Sequence, residues 1–215
     1  MIIGAKGFAK ELLQVVSVDM NLPDENIVFF DNISQDLPDK LYDRFQILRS
    51  FEAVKTYLSQ VEDKSFVLGL GNPLLRKKMF DEFTQLGAQP ISVISKNADI
   101  GSFEVNIKEG SSILSGVKIS NSVKIGKGCL VYYNSIITHD CLIGDFVELS
   151  PNATVLGRST IGDYTSLGAS SIILPDIVLG NNVIIGAGTV VLNDVPDNCT
   201  VVGVPGRIIS NKEYK

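Results

Sequence analysis

The hydrophobic pattern changes character near the middle of the chain. From Ile107 onward an aliphatic residue returns at every sixth position without a break: Ile107, Ile113, Ile119, Ile125, Val131, Ile137, Ile143, Leu149, Val155, Ile161, Leu167, Ile173, Leu179, Ile185 and Val191. A period of six fits neither an amphipathic helix nor an alternating strand, and fixed self-similarity of this kind predicts a β-solenoid of hexapeptide repeats. Four residues beyond each aliphatic stands a small or compact residue suited to the inside of a tight corner, as at Ser111, Val117, Val123, Cys129, Ser135, Cys141, Val147, Ala153, Ser159 and Thr165. Glycine follows the aliphatic at Gly126, Gly144, Gly162 and Gly180, eighteen residues apart. Three hexads therefore make one triangular coil, adding a strand to each of three parallel sheets at roughly 4.8 Å per step. The recurring glycine is expected to supply backbone angles that L-residues resist. Ile94, Ile100 and Ile107 make an irregular first coil, and after Val191 the pattern dissolves into a short polar tail.

The first half reads differently. Met1 to Ile3 predict a strand that turns through Gly4 and Gly7 into a helix bearing Leu12, Leu13 and Val16. This is the βα entry of a nucleotide-binding unit, in which glycines permit a tight turn and helix N-terminal amides face an anion. The turn lacks the third glycine of the dinucleotide fingerprint, so taken alone it also fits a plain βα turn. Ile27 to Phe30 predict a second strand ending in Asp31 and Asn32, where an acidic residue commonly meets a ribose or base. A partly helical segment lies around Phe51 to Val61, a third strand spans Ser65 to Leu70, a helix spans Leu74 to Leu86, and Ile91 to Ile94 add a further strand. We therefore divide the chain into residues 1–93, a small parallel α/β domain, and residues 94–215, the solenoid with its C-terminal loop. A solenoid needs its open ends covered, and the α/β domain is expected to cover one of them.

Composition narrows the function classes. A net charge of −5 with no Lys/Arg-rich run argues against nucleic acid or an anionic membrane as the main partner. No apolar run reaches transmembrane length and the first residues lack a signal-peptide layout, so no membrane insertion is expected and the cytoplasm is the default location. The three cysteines form no CxxC; Cys129 and Cys141 fall on small inward positions, and Cys199 is read as inert in a polar loop after Pro196.

The chain has a single histidine, His139, two residues past an inward aliphatic and therefore at a corner facing out. Beside Asp140 it is a candidate general base, although a lone surface histidine is more often idle. Stacking by eighteen residues puts Asn121, Gly157 and Pro175 in its column. Gly157 is expected to leave a notch beside the imidazole, where an acyl group and an oxyanion held by a backbone N–H would fit.

Taken together, the hexads, His139-Asp140-Cys141 followed by Ile143-Gly144-Asp145, Leu167-Gly168-Ala169, Ile185-Gly186-Ala187-Gly188 and Val202-Gly203-Val204-Pro205-Gly206-Arg207 carry a resemblance. So do Gly4 to Lys10, Asp31-Asn32 and Gly69-Leu70-Gly71-Asn72 in the first half. The whole chain resembles the left-handed β-helix acetyltransferases of NeuD/PglD type, which acetylate sialic acids or nucleotide-linked amino sugars. The resemblance implies a small Rossmann-like α/β domain followed by a left-handed parallel β-helix, against the right-handed rule for parallel crossovers. It implies His139 as general base, Asp140 as its tuning acid, and acetyl-CoA as cosubstrate with no metal. Glu148, Gly157, Ala169 and Ala187 occupy the acetyl-CoA positions, and Lys6, Gly7, Phe8, Asp31, Asn32 and Gly71 those of a nucleotide-sugar acceptor. It implies a homotrimer with active sites between subunits.

Three positions depart from the family pattern: Phe8 and Glu148 stand where histidine is frequent, and Tyr132 where asparagine is common. The expected reaction is direct acetyl transfer to the amino group of a nucleotide-linked amino sugar. An O-acetyltransferase acting on a sugar hydroxyl such as that of sialic acid is the alternative, and a non-catalytic β-helix sugar-binding scaffold a third reading. A β-helix zinc hydrolase is disfavoured, since one histidine cannot build a multi-histidine zinc site.

Overall fold

In the computed structural model, which describes residues 1–211, the two sequence patterns build two kinds of sheet. The first comprises β1 (Ile2–Ile3), β2 (Phe29–Phe30), β3 (Lys40–Leu41), β4 (Phe45–Leu48), β5 (Ser65–Leu68) and β6 (Gln89–Pro90) in the order β3-β4-β2-β1-β5-β6. All pairs are parallel except β3 with β4. Its helices are α1 (Gly7–Gln14), α2 (Phe51–Gln60) and α3 (Pro73–Gln85), and α1 runs on into a π turn over Val15–Asp19. The chain winds from β1 outward to β4 and then crosses back to β5, so the strand order reverses between β1 and β5. Open parallel sheets bind ligands at such a reversal, beyond the carboxyl ends of the strands.

Two features differ from the sequence reading. The hairpin of β3 and β4 was not foreseen, because its buried Leu41, Phe45 and Ile47 are interspersed with exposed polar residues in a charged stretch. The strand expected over Ile91 to Ile94 is divided, with β6 ending at Pro90 in the α/β sheet and Val93–Ile94 opening the solenoid.

The solenoid has three faces of two-residue strands. The first runs from Val93–Ile94 through Ser112–Ile113, Leu130–Val131, Glu148–Leu149 and Ser166–Leu167 to Ile184–Ile185. The second starts at Asp99–Ile100 and includes Ile136–Ile137, Thr154–Val155 and Ile172–Ile173. The third starts at Asn106–Ile107 and includes Leu142–Ile143, Thr160–Ile161 and Val178–Leu179. Each aliphatic of the ruler pairs in register with the one eighteen residues on, as in Ile113↔Val131, Ile137↔Val155 and Ile143↔Ile161. Together they form one continuous core.

The corners work differently from the sequence expectation. Positive φ occurs at every sixth residue from Glu104 to Gly188, but Gly126, Gly144, Gly162 and Gly180 are not among these positions. A Cβ on Gly126 would lie 2.4 Å from the Gly144 carbonyl oxygen, so these glycines are required by the close approach of the next coil. The left-handed angles fall two residues later, mostly on non-glycine residues such as Ser122, Asn134, Asp140, Phe146, Arg158 and Asp176. Such angles cost an L-residue roughly 1–2 kcal/mol. Asparagine and aspartate tolerate them best.

The small residues do more than fit. Ser111, Ser135, Ser159 and Thr165 each donate a side-chain hydrogen bond, at 3.0, 3.0, 2.9 and 2.9 Å, to the carbonyl fifteen residues ahead on the next coil. Cys129 and Cys141 donate in the same way at 3.1 and 3.4 Å. Burial pushes the Cys129 thiol up to about 12 and raises that of Cys141, keeping both protonated as donors. Cys199, expected in a loop, is buried in the strand Cys199–Val202. There the solenoid continues in a shortened coil, with Val201 pairing with Ile185, before the antiparallel strand Arg207–Asn211.

The α/β domain lies along the first face rather than over an end, and Ile94 in the first coil remains exposed. One of its cores joins α1 to Leu114, Tyr132 and Tyr133 at one edge of that face. The other joins α3 to Phe146 and Tyr164 at the other edge, through ring contacts of Phe80 with Phe146 at 5.6 Å and Phe146 with Tyr164 at 5.9 Å. Between them Arg76 of α3 is 1% exposed. Its guanidinium donates to the carbonyls of Gly128 at 3.0 Å, Phe146 at 2.8 Å and Val147 at 3.1 Å, and to Gly71, with Glu148 at 3.7 Å. Burial lowers the guanidinium's affinity for its proton, while Glu148 opposes that shift. Arg76→Ala would take this donor from the Gly128 and Phe146 carbonyls and leave Glu148 without its cation, so we expect a loss of about 3–5 kcal/mol. Thermal denaturation should show a fall of roughly 10 °C.

Candidate active site

Two separate sets of the expected residues emerge. The first is a cavity of about 440 Å³ at the strand-order reversal, whose lining includes Lys6, Gly7, Phe8, Asp31, Asn32 and Gly71. Gly4, at φ +97°, and Gly69 are held by packing there: a Cβ on Gly4 would meet the Gly69 oxygen at 2.7 Å, and one on Gly69 would meet the Ala9 Cβ at 2.7 Å. Gly7 and Gly71 instead border open space. Helix α3 is capped by the Asn72 side chain, which accepts from Leu75 N at 2.9 Å, whereas Lys6 before α1 supplies no side-chain cap. The α1 amides therefore remain available to an anion in the cavity. Lys6 pairs with Asp36 at 2.6 Å on the surface. The Asp31 carboxylate is largely engaged in its own loop, accepting from Ile33 N at 3.1 Å, Ser34 N at 2.9 Å and Ser34 Oγ at 3.1 Å. A second cavity, of about 430 Å³, opens at the amino ends of the same strands and is lined by aliphatic residues such as Val16, Leu22, Ile27 and Val61. It lacks the glycine turns and the free helix N-terminus.

The three departures from the family pattern converge beside the first cavity. Phe8 and Tyr132 are in ring contact at 5.5 Å, the Tyr132 hydroxyl donates to Glu11, and Glu148 lies beneath Arg76. Burial, reinforced by Glu11, raises the Tyr132 phenol well above its ordinary range, so it stays a donor. Burial likewise raises the Glu148 carboxyl, with Arg76 pulling the other way. The sequence reading gives no role at the site to Glu11, nor to Arg76, which with Lys77 and Lys78 follows the Gly69–Asn72 turn of the family resemblance. A sequence signal existed for the arginine, since it falls on the same helical stripe as Met79, Phe80 and Phe83, all buried.

The second set lies on the edge between the second and third faces, opposite the face that carries the α/β domain. His139 Nδ1 is 2.7 Å from Asp140 Oδ2, and both side chains are 54% exposed. The carboxylate fixes the proton on Nδ1, which leaves the lone pair of a neutral imidazole on Nε2. Asp140 sits at the left-handed corner position, φ 60°. Gly157 is directly beside the ring, as the eighteen-residue stacking implied. However, a Cβ there would meet His139 Cε1 at 2.6 Å and Nε2 at 2.8 Å, and the glycine is buried. The imidazole therefore fills the expected notch itself. Cys141 is turned inward, with its thiol on the Leu156 carbonyl, and gives His139 no nucleophile to activate.

Ala169 and Ala187 stack in consecutive coils at the edge between the first and second faces, Gly188 N donating to Ala169 O at 2.8 Å. The residues expected at acetyl-CoA are thus divided within one chain, with Gly157 beside His139, and Glu148, Ala169 and Ala187 on or beside the first face.

Comparison with known proteins places this geometry. Residues 1–83 match the PglD N-terminal domain and residues 158–193 the bacterial transferase hexapeptide (six repeats). The solved structure of WeeI from Acinetobacter baumannii AYE is 31% identical, with a TM-score of 0.88 over 97% of this chain and 98% of that one. The chain belongs to the NeuD/PglD-type hexapeptide-repeat sugar acetyltransferases. It is an acyltransferase with a small Rossmann-like α/β domain followed by a left-handed parallel β-helix. The acetyltransferase domain of PglB from Neisseria gonorrhoeae FA1090, solved in complex with acetyl coenzyme A, shares the fold at 24% identity and a TM-score of 0.84, covering 97% of each chain. GDP-perosamine N-acetyltransferase of Escherichia coli O157:H7 is 28% identical over 160 residues, 73% of this chain and 69% of that protein. Among the described residues, no helix is long and apolar enough to cross a membrane.

For this NeuD/PglD-type acetyltransferase, Gly157→Ala should push the imidazole off its seat while leaving the corner backbone intact, because Gly157 is not at positive φ. We expect the His139 ring resonances to move, as NMR of this single histidine would report. The melting temperature should stay close to that of the parent protein.

Proposed function

We propose that this enzyme transfers the acetyl group of acetyl coenzyme A directly to the amino group of a nucleotide-linked amino sugar, with His139 as general base. The observation that carries this reading is the His139–Asp140 pair at 2.7 Å, which occupies Nδ1 and leaves Nε2 free on a half-exposed ring at the solenoid edge. The acetyl-CoA-bound PglB domain and the GDP-perosamine relative support the choice of donor and acceptor class. The cavity over the uncapped α1 N-terminus suits the acceptor's diphosphate, with Lys6, Gly7, Phe8, Asp31, Asn32 and Gly71 around the nucleotide sugar.

In the reaction His139 Nε2 takes a proton from the acceptor amine as its nitrogen bonds to the thioester carbonyl carbon. Collapse of the tetrahedral intermediate breaks the C–S bond, and the coenzyme A sulfur leaves as a thiolate that the imidazolium can reprotonate. Asp140 holds the ring and stabilises its cationic form. A positioned base of this kind supplies ~10²- to 10⁴-fold, and alignment of the two substrates adds to it.

The acceptor cavity and His139 belong to opposite sides of one chain, which supports a homotrimer with the site shared between subunits. His139 and Gly157 of one copy would face the Glu148, Ala169 and Ala187 side of another. The exposed Leu142 and Val178 on the third face are suited to such a contact.

His139→Ala should abolish coenzyme A release on a nucleotide-linked amino sugar, while activity on sialic acid alone would move the enzyme to the O-acetyltransferase branch. The rate should fall as pH drops from neutral into the acid range, because both the base and the acceptor amine must be unprotonated; a flat profile from acid to neutral pH would exclude this mechanism. Chains carrying His139→Ala and chains carrying the cavity-filling Gly71→Trp are each expected to be inactive. Refolded together they should regain activity, and mixtures that stay silent would sink the shared site.

A further inference from the structure

The edge that carries His139 holds a second charge arrangement. Its left-handed corner residues stack at eighteen-residue intervals as Glu104, Ser122, Asp140, Arg158 and Asp176. The stacking is tight: Arg158 N donates to His139 O at 3.1 Å and Asp176 N to Gly157 O at 3.0 Å. Arg158 thus stands one coil from Asp140 on one side and one coil from Asp176 on the other. Its hydrogen bonds go to Asp176 alone, with Nε on Oδ1 at 2.6 Å and Nη2 on Oδ2 at 2.7 Å, while Asp140 lies only within electrostatic reach.

This choice matters for the histidine. Arginine's planar fork engages one carboxylate in a bidentate pair. Turned toward Asp140, the guanidinium would compete with the imidazole for that carboxylate and set a positive charge beside it. Both effects disfavour the protonated ring and weaken Nε2 as a base. The other groups stacked here do not compete in this way. Asn121 is neutral, Ser122 donates to Glu104 at 3.0 Å, Gly157 has no side chain, and the Cys141 thiol is turned into the core.

We propose that Asp176 is a positioning residue: by holding the Arg158 guanidinium one coil away, it reserves the Asp140 carboxylate for His139. This rests on the reading of His139 as the base. The role needs no contact between Asp176 and either substrate.

His139 is the chain's only histidine, so its ring can be titrated by NMR without ambiguity and without turnover. In Asp176→Asn, the proton affinity of the ring should fall by about two- to fivefold, the range of exposed ion-pair couplings. The acid limb of kcat/KM should move to lower pH by the same factor. Adding Arg158→Ala should return both to the parent values, because the competing cation is gone. An unmoved titration in Asp176→Asn, or a shift that Arg158→Ala does not reverse, overturns the proposal. So does a change confined to the KM for acetyl-CoA. Full activity in His139→Ala would instead defeat the base assignment, while the titration would still report on the Asp140 link.

Discussion

Every part of this molecule depends on the solenoid's corner. A coil of eighteen residues must turn three times, and each turn passes through a left-handed backbone residue. Most of these are not glycine, so the strain is borne by parallel backbone bonding to the coils on either side and by serine, threonine and cysteine side chains that donate to the coil ahead. The same device builds the His139–Asp140 pair. Asp140 occupies one of these strained positions, and the turn brings its carboxylate onto the imidazole of the residue before it.

The corner also explains how the two halves of the chain are joined. Phe146 is buried in a left-handed conformation at the edge of the first face, and a Cβ on Gly128 one coil earlier would strike its ring at 2.3 Å. The aromatic side chain is thereby presented to Phe80 of α3. Arg76 fills the polar space beside it, satisfying carbonyls that the corner leaves turned toward the α/β domain. A buried guanidinium is costly to desolvate and useful only when every partner is in place. It therefore holds the α/β domain in one orientation on the prism, with Phe8 of the cavity lining against Tyr132.

That orientation has a chemical consequence. The cavity with its uncapped helix N-terminus and the edge bearing His139 are kept apart by the width of the prism, and no rearrangement within one chain short of undocking the α/β domain would bring them together. The proposed base and the proposed acceptor cavity thus sit on different surfaces of the fold. Beside the cavity, Phe8 and Tyr132 form an aromatic pair whose only hydroxyl is already committed to Glu11.

Much of the solenoid was legible in the sequence, because a fixed period forces residues eighteen apart into contact whatever else the chain does. The inward ladder, the outward corner of His139 and the adjacency of Gly157 follow from that arithmetic. The βα turns at Gly4 and Gly69 were legible too, since few other residues tolerate such close approach. Other features depend on groups far apart in sequence and follow no period. The hairpin of β3 and β4, the placement of the α/β domain along a face, and the burial of Arg76 against carbonyls more than fifty residues away belong to this class. The sequence alone determined which residues share a column and which point inward. Only the tertiary structure decided why Gly126 and its repeats must be glycine, that the His139 ring covers Gly157, and which of two equally spaced carboxylates Arg158 takes, because these depend on ångström-scale contacts between coils and on side-chain direction.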